Sequence, residues 1–257
     1  MRSDEEVLRE YQFLRIVPVL DVMEGRVVRG VAGRREEYRP IESVLIDGCD
    51  ALPIAQAIRT RFGLSELYLA DLDAILRSAP NTGILRSLRD AGFAMTVDAG
   101  IRRCEDAAAI VAAGAHQIVA GLETLDGPQE LSRLVEQLGA SRVVFSLDLR
   151  DGRPLGNAAK WHDDDPCAIA GQAIGAGCTQ LIVLDLASVG TAGGVPTLPL
   201  CAEIRRTWPH VTMTAGGGIR GIEDLRRLDA SIIDGVLIAS ALHNGSIGPA
   251  ELHALTR

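Results

Sequence analysis

Short apolar runs rich in Val, Ile and Leu recur along the chain, separated by Ala/Leu/Arg/Glu stretches with helical period. Strands without a polar face, alternating with helical segments, predict βαβ units around a parallel sheet buried on both sides. Eight runs are expected as strands: 16–21, 66–71, 94–98, 117–121, 142–148, 180–185, 211–215 and 235–239. Helices are expected over 53–62, 105–113, 127–138, 166–176, 199–207 and 223–228. Asp165 followed by Pro166 marks a helix start, an N-cap before proline at the first helical position. Gly63, Gly114, Gly139 and Gly177 mark helix ends, where a left-handed residue is needed. No proline-rich or low-complexity linker divides the chain. Its 257 residues match a single (β/α)8 barrel, typically about 250 residues. The expected organisation is an N-terminal arm over 1–15 and one α/β barrel over 16–257.

The pattern also repeats. Asp21, Gly25 and Arg26 share the spacing D-x-x-x-G-R with Asp148, Gly152 and Arg153. DAGIR at 98–102, followed by Glu105 and Asp106, echoes GGGIR at 216–220, followed by Glu223 and Asp224; IVAGL at 118–122 echoes LIASA at 237–241. The offsets lie near half the chain length, which predicts two half-barrels, about 16–139 and 140–257, with related sites at related strand ends.

Composition narrows the function. With 47% hydrophobic and 23% charged residues the chain can bury a core. A net charge of −8 without a basic block argues against nucleic-acid binding. No apolar stretch reaches the ~18 residues of a membrane span, and the opening MRSDEEVLRE lacks the apolar segment of a secretory signal. The five cysteines, Cys49, Cys104, Cys167, Cys178 and Cys201, are odd in number and never spaced C-x-x-C. That spacing fits neither a disulfide framework nor a zinc site, and a reducing cytoplasm is expected. Lys160 is the only lysine, so Schiff-base chemistry has little to rest on. No metal or cofactor is expected.

Barrel sites lie at the C-terminal ends of the strands. That rim is expected to carry Asp21, Asp71, Asp98, Asp148 and Asp185, with Asp73 and Glu123 just beyond. Any one of these can simply end a strand and cap the next helix. Asp21 and Asp148 are related by the repeat, and paired carboxylates in unlike surroundings divide into an acid and a base; which is which stays open. Asp71, Asp98, Glu123 and Asp185 are candidate substrate contacts. TAGGGIR at 214–220 and Ala239-Ser240 follow the seventh and eighth strands, where such barrels commonly hold phosphate on backbone N–H groups. Gly217, Gly218, Ala239 and Ser240 are therefore candidate phosphate residues, with Gly190 and Thr191 of VGTAGG (189–194) as a third wall. His162 and the three aspartates after it read as a capping cluster, and His116 and His243 as isolated histidines. Trp161 serves a lid or the core. Arg29, Arg34, Arg35 and Arg39, in the long first loop, either grip an anion or are solvated.

Together these residues resemble the ProFAR isomerase and imidazole glycerol phosphate synthase cyclase family of histidine biosynthesis, over almost the whole chain. VPVLDVMEGRVVRG (17–30), YLADLDA (68–74), Lys160-Trp161, LDLASVGTAGG (184–194), TAGGGIR (214–220) and LIASALHNG (237–245) carry the likeness. The resemblance implies acid–base roles for Asp21 and Asp148 in an Amadori-type aminoaldose-to-aminoketose isomerisation. It also implies a phosphate on Gly190, Thr191, Gly217, Gly218, Ala239 and Ser240. The family's substrates carry two phosphates, one per half-barrel. In the N-terminal half this chain instead has Asp98, Gly121-Leu122 and Glu123, and on the sixth strand Leu184 stands where the isomerase has an assisting threonine. The expectation is a singly phosphorylated sugar or amino-sugar substrate and not the histidine-pathway one. The chain looks similar to an isomerase-related group of archaea and methylotrophic or planctomycete-type bacteria. The alternatives are an aldol, condensation or cyclisation step in tetrahydromethanopterin- or methanofuran-type one-carbon cofactor synthesis, and a phosphate-binding barrel without turnover.

Overall fold

The structure is a computed structural model and describes residues 14–156, 158–191 and 194–255. Most of the expected N-terminal arm, 1–13, lies outside the described residues, and Arg15 already belongs to the first strand. The strands are β1 (Arg15–Met23), β2 (Arg26–Arg29), β3 (Arg39–Pro40), β4 (Glu66–Asp71), β5 (Ala94–Asp98), β6 (Gln117–Gly121), β7 (Val143–Arg150), β8 (Arg153–Pro154), β9 (Gln180–Asp185), β10 (Thr212–Gly216) and β11 (Gly235–Ile238). The order β1-β4-β5-β6-β7-β9-β10-β11 is parallel throughout, and β11 pairs back onto β1 from Arg15↔Gly235 to Pro18↔Ile238. That seam closes a (β/α)8 barrel.

The helices are α1 (Ala51–Phe62), α2 (Leu72–Arg77), α3 (Thr82–Asp90), α4 (Ala107–Ala113), α5 (Pro128–Leu138), α6 (Ala158–Trp161), α7 (Pro166–Gly175), α8 (Leu198–Thr207), α9 (Ile222–Arg226), α10 (Ser240–His243) and α11 (Pro249–Leu255). Asp165 caps α7 as expected, accepting from the N–H groups of Cys167 and Ala168. Gly63 and Gly114 end α1 and α4 in the left-handed conformation. Helices α2 and α3 are not among the expected helices; Asp71 caps α2, and Asn81, just after Pro80, occupies the N-cap position of α3.

Two apolar clusters divide the molecule. The inner one joins every second residue of the strands, including Val17, Tyr68, Ala70, Val119, Val144, Ile182 and Leu237. The outer one packs Leu20, Leu67, Leu69, Val97, Val183 and their like against the helices. Side-chain parity therefore decides what each strand-end carboxylate faces. Asp21 follows Val17 and Val19 inward, Asp98 follows Thr96, and Asp148 follows Val144 and Ser146.

Two of the sequence echoes share a local geometry. Glu24 and Gly25 turn β1 into β2 with φ of 53° and 75°, and Asp151 and Gly152 turn β7 into β8 with the same two values. The Arg102 N–H donates to Asp106 and the Arg220 N–H to Asp224, at 3.0 and 2.8 Å.

Candidate active site

A cavity of about 430 Å³ opens at the C-terminal ends of the strands, lined by Asp21, Asp98, Glu123 and Asp148 on one side and by Gly190, Thr191, Gly217, Gly218, Ala239 and Ser240 on the other. The parity of the inner strand faces brings the three aspartates together around the buried Tyr68, whose hydroxyl donates to Asp98 Oδ2 at 3.3 Å. Asp148 is held by the Ser146 hydroxyl at 2.6 Å. Room for the carboxylates comes from missing side chains. A Cβ on Gly30 would lie 2.8 Å from Asp21 Oδ2, and one on Gly121 would lie 3.2 Å from Asp148 Oδ2.

Crowding and burial keep protons on this cluster. Asp148 is pushed up to about 8, chiefly by desolvation, with Asp98 and Glu123 adding to it against the Ser146 hydrogen bond. Desolvation and the Asp98 charge raise Asp21 to about 7, while Arg35 works the other way. Asp98 rises to about 6, restrained by its hydrogen bonds from the Gly100 N–H and Tyr68. Burial among these carboxylates also drives the Tyr68 phenol well above its usual range. Near neutral pH the site thus holds both proton donors and proton acceptors within one cavity, the condition for general acid–base work.

The opposite wall presents backbone donors. Among the described residues, no hydrogen-bond acceptor is met by the N–H groups of Gly218, Ile219, Ser240 and Ala241. They come from the β10 loop and the first turn of α10, where helical N–H groups have no partner of their own. The loop is pressed tight: Gly218 has φ of 77°, and a Cβ there would meet the Gly194 carbonyl oxygen at 1.8 Å. Arg220 also lines the cavity, but its guanidinium is committed to both oxygens of Asp224.

The matching loops of the N-terminal half are spent internally. Asp98 Oδ1 accepts the Gly100 N–H at 3.0 Å, so that donor is turned to the chain's own carboxylate. Glu123 Oε2 takes the Arg35 guanidinium at 2.8 Å; of the four first-loop arginines, Arg35 and Arg29 line the cavity.

Two expected substrate contacts are corrected. Asp71 is one step out of phase with Ala70 and faces the helices, where it accepts from the N–H groups of Ala74 and Asn81 and from the Asn81 side chain. Asp185 likewise points outward and accepts from the N–H groups of Ala187, Asp151 and Gly152. Both are caps, because inward parity falls on their neighbours. His243 is buried beside Ser43, and Trp161 packs on Phe145 with ring centroids 4.9 Å apart, so both belong to the core. Among the described residues, no group of His, Cys, Asp and Glu is arranged to hold a metal ion, the 162–165 cluster included. The sequence reasoning missed Tyr68 and Tyr38: Tyr68 shows only as one more residue of an apolar run, and Tyr38 as a lone aromatic in a charged loop.

The family model described as "Histidine biosynthesis protein" matches residues 15–248. An uncharacterized protein of Methanocaldococcus jannaschii is 30% identical over 241 residues, covering 93% of this chain and 97% of that one. An Edwardsiella ictaluri protein named 1-(5-phosphoribosyl)-5-((5-phosphoribosylamino)methylideneamino) imidazole-4-carboxamide isomerase is 30% identical over 249 residues, 92% of this chain and 96% of its own. The identically named protein of Moorella thermoacetica is 30% identical over 239 residues, 90% and 93% of the two chains.

Proposed function

Because the chain belongs to the histidine biosynthesis protein family, we propose that it is an isomerase acting on a singly phosphorylated sugar or amino-sugar by proton transfer between Asp148 and Asp21. One observation carries this: a pair of inward aspartates holding protons near neutrality shares a cavity with unpaired backbone donors fit for one phosphate.

The order of the pair follows from their surroundings. Arg35 faces Asp21 and favours its ionised form, so Asp21 serves as the base; Asp148 faces the Asp98 and Glu123 charges, which favour its protonated form, so it serves as the acid. On an aminoaldose, Asp148 gives its proton to the ring oxygen as the bond from that oxygen to C1 breaks and the nitrogen lone pair forms a C=N bond. Asp21 then removes the C2 proton; that electron pair forms the C1=C2 bond and returns the C=N pair to nitrogen. Proton transfer from the C2 hydroxyl and to C1 yields the aminoketose, an isomer of the starting sugar. No electron donor or acceptor is required. Phosphate on the Gly217–Gly218 and Ser240 side would hold the sugar at a fixed distance from both carboxyls.

The substrate's far end is proposed to differ from that of the isomerase relatives, whose printed name contains two phosphoribosyl groups. Asp98 and Glu123 occupy that end, where Arg35 offsets only one of them, and a second dianion would meet repulsion of roughly several kcal/mol at an effective ε near 20. The test is complementation together with mass spectrometry of whatever copurifies. Failure to restore histidine prototrophy to an isomerase-deficient strain, with a monophosphorylated compound in the cavity, is the expected result. Restored growth would overturn the substrate assignment. A ligand retained with no turnover on any aldose or aminoaldose phosphate would overturn the enzymatic one.

A further inference from the structure

Arg35 is brought to the site by a specific piece of chain geometry. After β2 the chain crosses the loop that follows β9, with the Ala32 N–H donating to the Val189 carbonyl at 2.8 Å. A Cβ on Gly190 would lie 2.2 Å from the Gly30 carbonyl oxygen, so the two loops touch backbone to backbone there. Ala32 and Gly33 then take φ of 49° and 67° and reverse the chain. The short turn Arg35–Glu37 follows, and Gly33, Arg35 and Tyr38 from this stretch line the cavity. Its neighbouring arginines part company at this point. Arg34 pairs with Glu37 on the outside with 56% of its side chain exposed, whereas Arg35 is 26% exposed and reaches Glu123, 88 residues away.

That contact joins the first loop to the loop after β6 and lays a guanidinium in the carboxylate side of the cavity. The groups facing Asp21 from the packed elements are Asp98 and Tyr68 from β5 and β4, Tyr38 and Arg35 from the first loop, with Arg29 at the rim. Arg29 sits at an exposed position, and Arg220 is neutralised by Asp224. Arg35 is therefore the cation held among these acids.

We propose that Arg35 is a positioning residue for Asp21, tethered by Glu123 so that a fixed positive charge faces the carboxylate that must be ionised to act as base. The inference rests on the base role given to Asp21 above. The tether matters because a free arginine side chain on a loop would spend its time in water, where its field is screened. A fixed guanidinium instead favours the ionised form of any acid it faces. Desolvation and Asp98 push Asp21 toward neutrality, and Arg35 is the counterweight.

The experiment reads the Asp21 carboxyl itself, by side-chain carbon NMR over pH 4–10, and so needs no substrate. Relative to the parent, Arg35→Gln should raise the Asp21 midpoint by roughly half to one pH unit, and Arg35→Lys should recover most of it. Glu123→Gln, which leaves the guanidinium but cuts its tether, should also raise the Asp21 midpoint although it removes a negative charge. The turn that carries Arg35 buries no residue, so these variants are expected to fold. An unchanged midpoint in Arg35→Gln overturns the proposal. A fall in Glu123→Gln overturns the tether, since Glu123 would then act only as a nearby charge. Failure of the function proposed above would show separately, as undiminished turnover in Asp21→Asn.

Discussion

A carboxyl group raised above its ordinary value burdens the fold as well as equipping the site. Asp21, Asp98 and Asp148 stand near 7, 6 and 8 against an ordinary 3.8. Between those limits the folded chain binds more protons than the unfolded one, so stability falls as pH rises. The contribution of these groups is full below about pH 4 and is lost as pH climbs through 6 to 8. Asp21→Asn and Asp148→Asn should therefore lose roughly 10²–10⁴-fold in turnover. They should also unfold later than the parent at pH 8.5, by roughly 1–3 kcal/mol in a urea titration, and by far less at pH 4.5. Greater instability of both variants at pH 8.5 would make the aspartates structural. Which of the five strand-end aspartates face inward was not legible in the sequence. Parallel strands buried on both faces show no polar alternation, so nothing along 66–71 or 180–185 tells Asp71 and Asp185 from Asp21. The two-residue period would have separated them once a single inward residue per strand was known.

At the scale of elements, the eight barrel strands were legible to within two residues at each end, because long apolar runs leave little choice. The region from 72 to 90 was not. Its helices are short, and the Pro80–Gly83 stretch carries turn residues that serve as a helix start. Asn81 stitches this region to the barrel: its side chain donates to Asp71 Oδ1 at 2.8 Å and to Asp73 Oδ2 at 2.9 Å. Asp73 in turn receives the Glu24 N–H of the first hairpin turn at 2.7 Å. Asn81→Ala leaves two mostly buried carboxylates short of a donor each and should cost about 1–3 kcal/mol, a drop of roughly 2–10 °C in melting temperature. Inorganic phosphate affinity should stay the same, since Asp71 is outside the cavity. A large loss of affinity at unchanged melting temperature would return Asp71 to the site.

Over the whole molecule, the repeat places equivalent loops at opposite sides of the barrel mouth but gives them opposite electrostatic character. The difference was readable from DAGIR against GGGIR; that Asp98 would turn a backbone donor onto itself, and that Arg35 would cross to Glu123, was not, since both depend on contacts between distant loops. Calorimetry with inorganic phosphate should accordingly find one site per chain, and Ser240→Asp should abolish it by setting a carboxylate against the anion. Two equivalent sites, or one that survives Ser240→Asp, would contradict the asymmetry.

The seam between β11 and β1 carries a consequence for synthesis. The ribosome delivers residues 15–18 long before their partners at 235–238, a contact of very large sequence separation. Until the last strand emerges, β1 and β10 each present an open edge of unpaired N–H and C=O groups flanked by apolar side chains, the template for pairing with another chain. The nascent chain is thus an unclosed sheet for as long as the residues between these two strands take to emerge, at about 5–20 residues per second. Lesions that truncate it before residue 235 should yield aggregated, chaperone-bound material, with no partly active barrel.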